Sequence, residues 1–482
     1  MKGLVLLLFS LKSFASWHIE QSGHSKTPPL LPDSAKPVII AIIDSGFDLS
    51  HPLIQNKLWL NQKEIPNNGI DDDYNGYIDD IVGWNFLGSR RGSAEFDLSR
   101  GEIKISKQNL ADQVYFDSLE IVREFNFLFN QSGLNRKENR SLDSLMRNIN
   151  EKLKRANQLL NEYKKEKKAY ELAAKLLNLD LNKLSYQQLT SVNSDLLKET
   201  EKAALKFLTD NYGLGQTYSF ILEEIELFSI QIDYHYNINL NEREKIIADN
   251  PDKLIEKGYG NNDVQTNCSA HGTSVATVLA QATQHPNISF MLLRSLPNGD
   301  ERDKDVINSI YYAVDNGADI INISFGKYSS SNAKEVYEAM EYAQTHGVAI
   351  VLAAGNDYLN IDYKTSFPSP KYGGQKLENT LMVGSHSRYQ KKSSFSNYGE
   401  HSVDIYAPGE NIPVPDKNNQ NIIYNGTSYA APLVSAAIAK LKLISPDINI
   451  FESKSILLEG SYLIEDQIQA LDIHQSLNLL KK

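Results

Sequence analysis

Apolar positions along this chain fall into two textures. Pro37-Val38-Ile39-Ile40-Ala41-Ile42-Ile43 is a continuous apolar run, which predicts a strand buried on both faces, the kind that fills parallel sheets. Phe290–Leu293, Ala318–Gly326 and Val348–Asn356 repeat that texture, and the stretches His271–Ala280, Asp305–Asn316 and Ala333–His346 are spaced as helices. Strands alternating with helices at these lengths predict an α/β fold with a doubly wound, mostly parallel sheet.

From about residue 90 to 255 the sequence is charged, rich in Leu and Lys, and nearly free of Gly and Pro. Leu142, Leu145, Ile149, Leu153, Ala156, Leu160, Tyr163, Tyr170, Ala174 and Leu177 form one apolar stripe at helical spacing, interrupted only by Lys167. This predicts a long amphipathic helix, with Leu189–Leu208 as a second helix packing back on it in an αα-hairpin or small bundle. Mixed charges beside the stripe fit a solvated face as well as a coiled-coil dimer. The expected division is an α/β domain in two parts, 16–89 and 256–482, with an all-α insertion at 90–255.

Composition narrows the function. The chain has 482 residues and a formal net charge of -11, which argues against a nucleic-acid partner. One cysteine, Cys268, excludes an intramolecular disulfide. Cys268 reads as a small buried hydrophobe or as a reactive thiol. Met1–Leu11 is a basic start followed by a short apolar run, and Ser13-Phe14-Ala15 offers small residues for a signal peptidase. Residues 1–15 are therefore read as a signal peptide in preference to a buried strand. The expected destination is export: extracellular, periplasmic or cell-surface. No apolar run is long enough for a transmembrane segment.

Candidate chemistry falls at strand ends and helix starts. Asp44 closes the first apolar run, where open α/β sheets place their sites. His271 opens a helix of small residues. Asn425-Gly426-Thr427-Ser428-Tyr429-Ala430-Ala431-Pro432 precedes an apolar helix. Ser428 there is either a nucleophile beside free helix N–H groups or part of a helix cap, with Pro432 expected in the first turn. The loop Asp71-Asp72-Asp73-Tyr74-Asn75-Gly76-Tyr77-Ile78-Asp79 follows the start of a calcium loop, with Asp71, Asp73, Asn75, the Tyr77 carbonyl and Asp79 as ligands. Val82 stands where such a loop carries its closing Glu. An acidic surface turn is the other reading.

Taken together, these motifs resemble the subtilisin-like serine protease family. Ile42-Ile43-Asp44-Ser45-Gly46, His271-Gly272-Thr273 and Gly426-Thr427-Ser428-Tyr429-Ala430-Ala431-Pro432 are similar to its Asp, His and Ser motifs, in its chain order. Ala353-Ala354-Gly355-Asn356 is similar to the segment that supplies its oxyanion-hole Asn, and Ile323-Ser324-Phe325-Gly326 to the edge strand that pairs with substrate. Phe395–Gly399 and Val403–Gly409 also recur in the family. The chain departs from the pattern at Ser274, Thr277, Leu433 and Ala436, and Leu53 stands where many relatives carry a calcium-binding carboxylate.

The resemblance implies a secreted endopeptidase acting on polypeptides. Ser428 would be its nucleophile, His271 its base, Asp44 the orienting carboxylate and Asn356 an oxyanion donor. Ser324, Phe325, Gly326, Ala353, Ala354 and Gly355 would wall the pocket for the side chain before the scissile bond. The absence of charge in those six residues points to an apolar side chain. The alternative is a catalytically weak or self-restrained scaffold whose insertion binds a partner protein. An α/β-hydrolase would need a Gly-x-Ser-x-Gly elbow and the order Ser, Asp, His, which this chain lacks.

Overall fold

The computed structural model describes residues 17–26, 36–90, 92–97, 104–108, 113–131, 136–251, 253–266, 270–465 and 468–480. The expected signal peptide, 1–15, and Cys268 lie outside them. Two compact units make up the chain: residues 1–115 with 241–482, and Phe116–Leu240.

The first unit is built on a nine-stranded sheet. In chain order its strands are β1 (Val38–Asp44), β2 (Gly83–Asn85), β3 (Ile288–Arg294), β4 (Ile320–Ile323), β5 (Ala349–Ala353), β6 (Thr380–His386), β7 (Ile405–Pro408), β8 (Tyr462–Leu463) and β9 (Gln469–Ala470). They lie side by side in the order β8-β9-β7-β6-β5-β4-β1-β3-β2. Every neighbouring pair is parallel except β8 and β9 at the edge. Side chains alternate between two cores. Ile40 and Ile42 of β1 enter one, and Ala41 and Ile43 the other. A strand buried on both faces has no polar side to show, which is why its sequence is a continuous apolar run.

The second unit is helical: α1 (Glu120–Asn130), α2 (Arg136–Leu177), α3 (Glu199–Gly213) and α4 (Tyr218–Ile230). The stripe on α2 is covered within the unit. Tyr170, Ala173, Leu205, Leu208 and Ile221 share one core, and Val122, Phe125 and Ile149 another. The expected second helix at Leu189–Leu208 is broken into Tyr186–Thr190, a short 3-10 turn and α3. The unit is a small bundle.

Its boundaries are tighter than 90–255. Residues 241–256 are charged yet belong to the first unit, because their charges are paired inside it. Arg243 is buried and donates to both oxygens of Asp305 at 2.6 Å, and Lys304 pairs with Asp249 at 2.8 Å and Glu256 at 2.6 Å. Composition alone does not tell a paired charge from a solvated one.

The helices α5 (His271–Ala282), α6 (Asp303–Asp315), α7 (Ala333–Thr345) and α8 (Thr427–Ile444) cover the sheet. Side chains of α5 and α8 pack in the core of Ile40 and Ile42, and those of α6 and α7 in that of Ala41 and Ile43. A short N-terminal helix, Trp17–Gln21, leads into a turn whose His24 is held by the Leu433 carbonyl at 3.0 Å, while Lys440 Nζ donates to the His24 carbonyl at 3.2 Å.

Candidate active site

Asp44 is the last residue of β1 and His271 the first of α5. Gly272 lets strand and helix meet: a Cβ there would stand 2.4 Å from the Gly46 carbonyl oxygen and 3.1 Å from Asp44 Cβ. Asp44 is fully buried, and its Oδ1 accepts from Ser45 N–H and from His271 Nδ1, each at 2.7 Å. With the carboxylate as acceptor the ring proton lies on Nδ1, which leaves the Nε2 lone pair to act as a base. Burial disfavours the charged imidazole, but the Asp44 charge and hydrogen bond outweigh it. The His271 pKa is raised above its ordinary 6.5.

Ser428 is the second residue of α8, where backbone N–H groups have no intrahelical acceptor. Its hydroxyl donates to the Ser324 carbonyl at 2.7 Å. The Ser324 hydroxyl answers by donating to the Ser428 carbonyl at 3.0 Å. Behind them, Asn322 Nδ2 donates to Ser324 Oγ at 2.9 Å, and Ser435 Oγ to Asn322 Oδ1 at 2.8 Å. All four residues are buried.

Pro432 explains why the Ser428 carbonyl is available. The helix starts at Thr427, so Pro432 lies beyond the first turn, where sequence reading expected it. A proline at this point removes the N–H that would bond the carbonyl four residues back, which is that of Ser428. The Ser324 hydroxyl takes that carbonyl instead.

Asn356 follows β5. Its Oδ1 accepts from Thr427 N–H at 2.9 Å and from Thr427 Oγ1 at 3.0 Å. A backbone N–H can only donate, so the amide oxygen is fixed toward Thr427 and Nδ2 faces the other way. Gly355 has a φ of +101°, and a Cβ there would sit 2.4 Å from Asn397 Nδ2; glycine is required at that turn.

These residues share one cavity of about 380 Å³. His271, Ser428 and Asn356 line it together with Ser324, Phe325, Gly326, Ala353 and Gly355. Ala354 does not: it is fully buried in the core, and its N–H bonds the Val383 carbonyl at 3.0 Å. Next to the lining residues Gly326 and Ser366, Lys327 and Phe367 exchange backbone bonds at 2.9 and 2.8 Å. Asp300, Glu301 and Asp357 also line the cavity.

The model of the subtilase family matches residues 35–471. The chain belongs to this family. Among its relatives, this subtilase is 34% identical over 202 residues to the thermophilic serine proteinase of Bacillus sp. (strain AK1), a match covering 39% of this chain and 47% of that one. It is 34% identical over 195 residues to the major intracellular serine protease of Bacillus subtilis (strain 168), covering 38% and 58%. The chain thus spans about half the length of the curated relatives it matches. Similar solved structures include a cold-adapted subtilisin-like serine proteinase, at 24% identity and a TM-score of 0.38, over 44% of this chain and 77% of that one.

In this subtilase the acidic loop after β1 differs in detail from the expected ligand set. Carboxylate oxygens of Asp71 and Asp73 converge with that of Glu64, all within 4.8 Å of one another. Asp79 is turned elsewhere: its two oxygens accept from Asn68 N–H at 3.2 Å and Gly69 N–H at 2.9 Å. Asn75 Oδ1 accepts from Tyr77 N–H at 2.8 Å, and the Tyr77 ring packs edge-on against Trp84 and Tyr312. Burial raises the Glu64 pKa, backbone donors oppose it, and the Asp73 charge adds to it. Three carboxylates whose oxygens converge in this way are hard donors of the kind that fit a calcium ion.

Sequence reading missed Glu64, Asn322, Ser435 and the three cavity acids. Two of these had a signal. Asn322 lies two residues before Ser324, on the same strand face, and Ser435 lies two helical turns after Ser428. Glu64 and the cavity acids come from segments that only tertiary pairing brings close.

Proposed function

We propose that this subtilase is a serine endopeptidase. The observation that carries the reading is the 2.7 Å hydrogen bond from buried Asp44 to His271, which lines one cavity with Ser428 and Asn356. In the reaction, the Ser428 proton leaves the Ser324 carbonyl and passes to His271 Nε2 while Oγ adds to the substrate carbonyl carbon. The Asn356 amide and the Ser428 N–H hold the resulting oxyanion. Imidazolium, stabilised by Asp44, then gives its proton to the departing amine, leaving an acyl-enzyme. Water repeats the cycle: His271 takes its proton, its oxygen attacks the ester, and the proton returns to Ser428.

The test is labelling by a serine-directed phosphonate alongside hydrolysis of a denatured protein. Ser428→Ala should abolish both. Labelling of wild type at another serine would refute the assignment.

Calcium belongs to the same reading. Glu64, Asp71 and Asp73 would hold the ion, which would order the loop after β1 and take no part in the chemistry. Export is proposed from the leader-like residues 1–15, and an amino terminus at Ser16 in the secreted protein tests it. Among the described residues no helix is long and apolar enough to cross a membrane.

A further inference from the structure

A second cavity, of about 1070 Å³, lies in the first unit and shares no lining residue with the catalytic one. Three lysines line it: Lys371, Lys376 and Lys392. Two of them stand opposite each other. Lys371–Tyr372 and Gln375–Lys376 form an antiparallel hairpin in which Lys371 pairs directly with Lys376. Like charges opposed across two strands repel and cost stability. An anion between them would turn that repulsion into attraction.

The groups around these lysines leave their charge largely unmatched. Lys371 Nζ donates to the His401 carbonyl at 3.2 Å and to Ser402 Oγ at 3.0 Å, both uncharged. Lys392 Nζ stands 4.1 Å from the centre of the Tyr398 ring and 5.5 Å from that of Tyr358. Neither forms an ion pair among the described residues. Lys376 reaches Asp404, whose Oδ1 lies 3.6 Å from it and 2.9 Å from Lys454, while Oδ2 takes the Met382 N–H at 2.8 Å. One carboxylate is thus divided between two ammonium groups. Glu465 is turned to the main-chain N–H of Lys392 at 3.0 Å, and Asp362 to that of His401 at 3.2 Å. Glu400, exposed, is the other carboxylate among the lining residues. Lys371, Lys376, Lys392 and Lys454 therefore share Asp404 and Glu400.

We propose that this cavity binds an acidic segment of a polypeptide. The inference goes beyond the endopeptidase reading and does not rest on it. Tyr398, Val403, Tyr406, Leu463 and Ile468 make the rest of the lining largely apolar, which suits the short apolar stems that carry carboxylates. The volume suits a ligand larger than one small anion. Leu463 belongs to β8, the edge strand of the nine-stranded sheet, and an edge strand is where an extended chain can lie. The loop after Asn356 separates the two cavities. Asn397 Oδ1 accepts from the N–H groups of Asp357 at 3.2 Å and Leu359 at 2.9 Å, and Tyr398 N–H donates to the Leu359 carbonyl at 3.0 Å.

The test measures binding without cleavage, on the full chain carrying Ser428→Ala. Fluorescein-labelled decaglutamate and decaglutamine peptides are titrated and followed by fluorescence anisotropy. Decaglutamate should bind at least about tenfold more tightly, with an advantage that shrinks as salt rises. Added to that chain, Lys371→Gln and Lys392→Gln should each weaken decaglutamate binding about fivefold. Lys168→Gln, at an exposed position of α2, should leave it unchanged. Lys371→Gln should not lower the Tm, because it removes one of two opposed charges, so a loss of binding there is not a loss of folding. The comparison of the two peptides across salt decides the matter even if a variant folds poorly. Equal binding of the two peptides, or affinity indifferent to both cavity substitutions, overturns the proposal. Displacement of decaglutamate by inorganic phosphate at equal molar concentration also overturns it, by making this a small-anion site. None of these outcomes touches the endopeptidase reading, which phosphonate labelling of Ser428 tests separately.

Discussion

At the scale of single residues, His271 would set the working pH of the proposed reaction. Its pKa lies above 6.5, because the Asp44 charge and hydrogen bond outweigh burial. The base is active when neutral, so kcat/KM should fall with acidification, with a midpoint above 6.5. A midpoint at or below 6.5 would contradict the Asp44–His271 pair. Asn356→Ala should lower kcat and barely change KM, since the oxyanion exists only in the transition state. The expected loss, about a hundred- to a thousandfold, is the value found in subtilisin itself. Asn322→Leu leaves the buried Ser435 and Ser324 hydroxyls without their amide partner, at about 1–3 kcal/mol. Stability should return in the double variant with Ser435→Ala, while kcat stays low. Recovery of kcat as well would show that Asn322 does not position Ser428. Asp44, His271, Ser428 and Asn356 were legible in sequence because each sits in a short local motif at an element's end. Asn322 and Ser435 reach Ser428 through contacts between strand and helix that no local motif records.

At the scale of elements, the loop after β1 and the start of α8 each depend on groups outside themselves. Glu64 holds the loop by accepting from the N–H groups of Asp72 at 2.8 Å, Asp73 at 3.1 Å and Asp79 at 3.0 Å. A bound ion with free calcium a hundredfold above Kd would add about 2.7 kcal/mol. Excess chelator should therefore lower the Tm, and Glu64→Gln should reduce the chelator's effect. A melting curve indifferent to chelator would remove calcium from this loop. Of the three carboxylates that converge there, the loop pattern names Asp71 and Asp73 but carries no information about Glu64. At α8 the sequence shows Pro432 plainly but not where the helix begins. Only the observed start at Thr427 makes the proline the reason that Ser324 can grip the Ser428 carbonyl.

For the whole molecule, the two units have separate cores, the sheet's pair in one and the bundle's pair in the other. Calorimetry should show two transitions, since units with their own cores unfold as separate cooperative bodies. Chelator should move only the transition of the unit that contains Glu64, Asp71 and Asp73. A single transition shifted as a whole would mean that the units unfold together. Alternating strands and helices made the α/β architecture legible, because period and run length survive in a single sequence. The limits of the bundle were not legible, since Arg243, Lys304, Asp249 and Asp305 spend their charges inside the first unit.

The order in which the chain is made adds a temporal property to this arrangement. Asp44 meets His271 across 227 positions, and Ser428 meets Ser324 across 104. His24, near the start, is held by Leu433 across 409. Contacts this far apart in sequence form slowly, and a growing chain forms none of them until both partners have been synthesised. A nascent chain carries Asp44 and His271 long before it carries Ser428, and the turn at His24 waits for the same helix. The proposed site is therefore assembled in one step once residues 427–444 have been made, when α8 docks against β4.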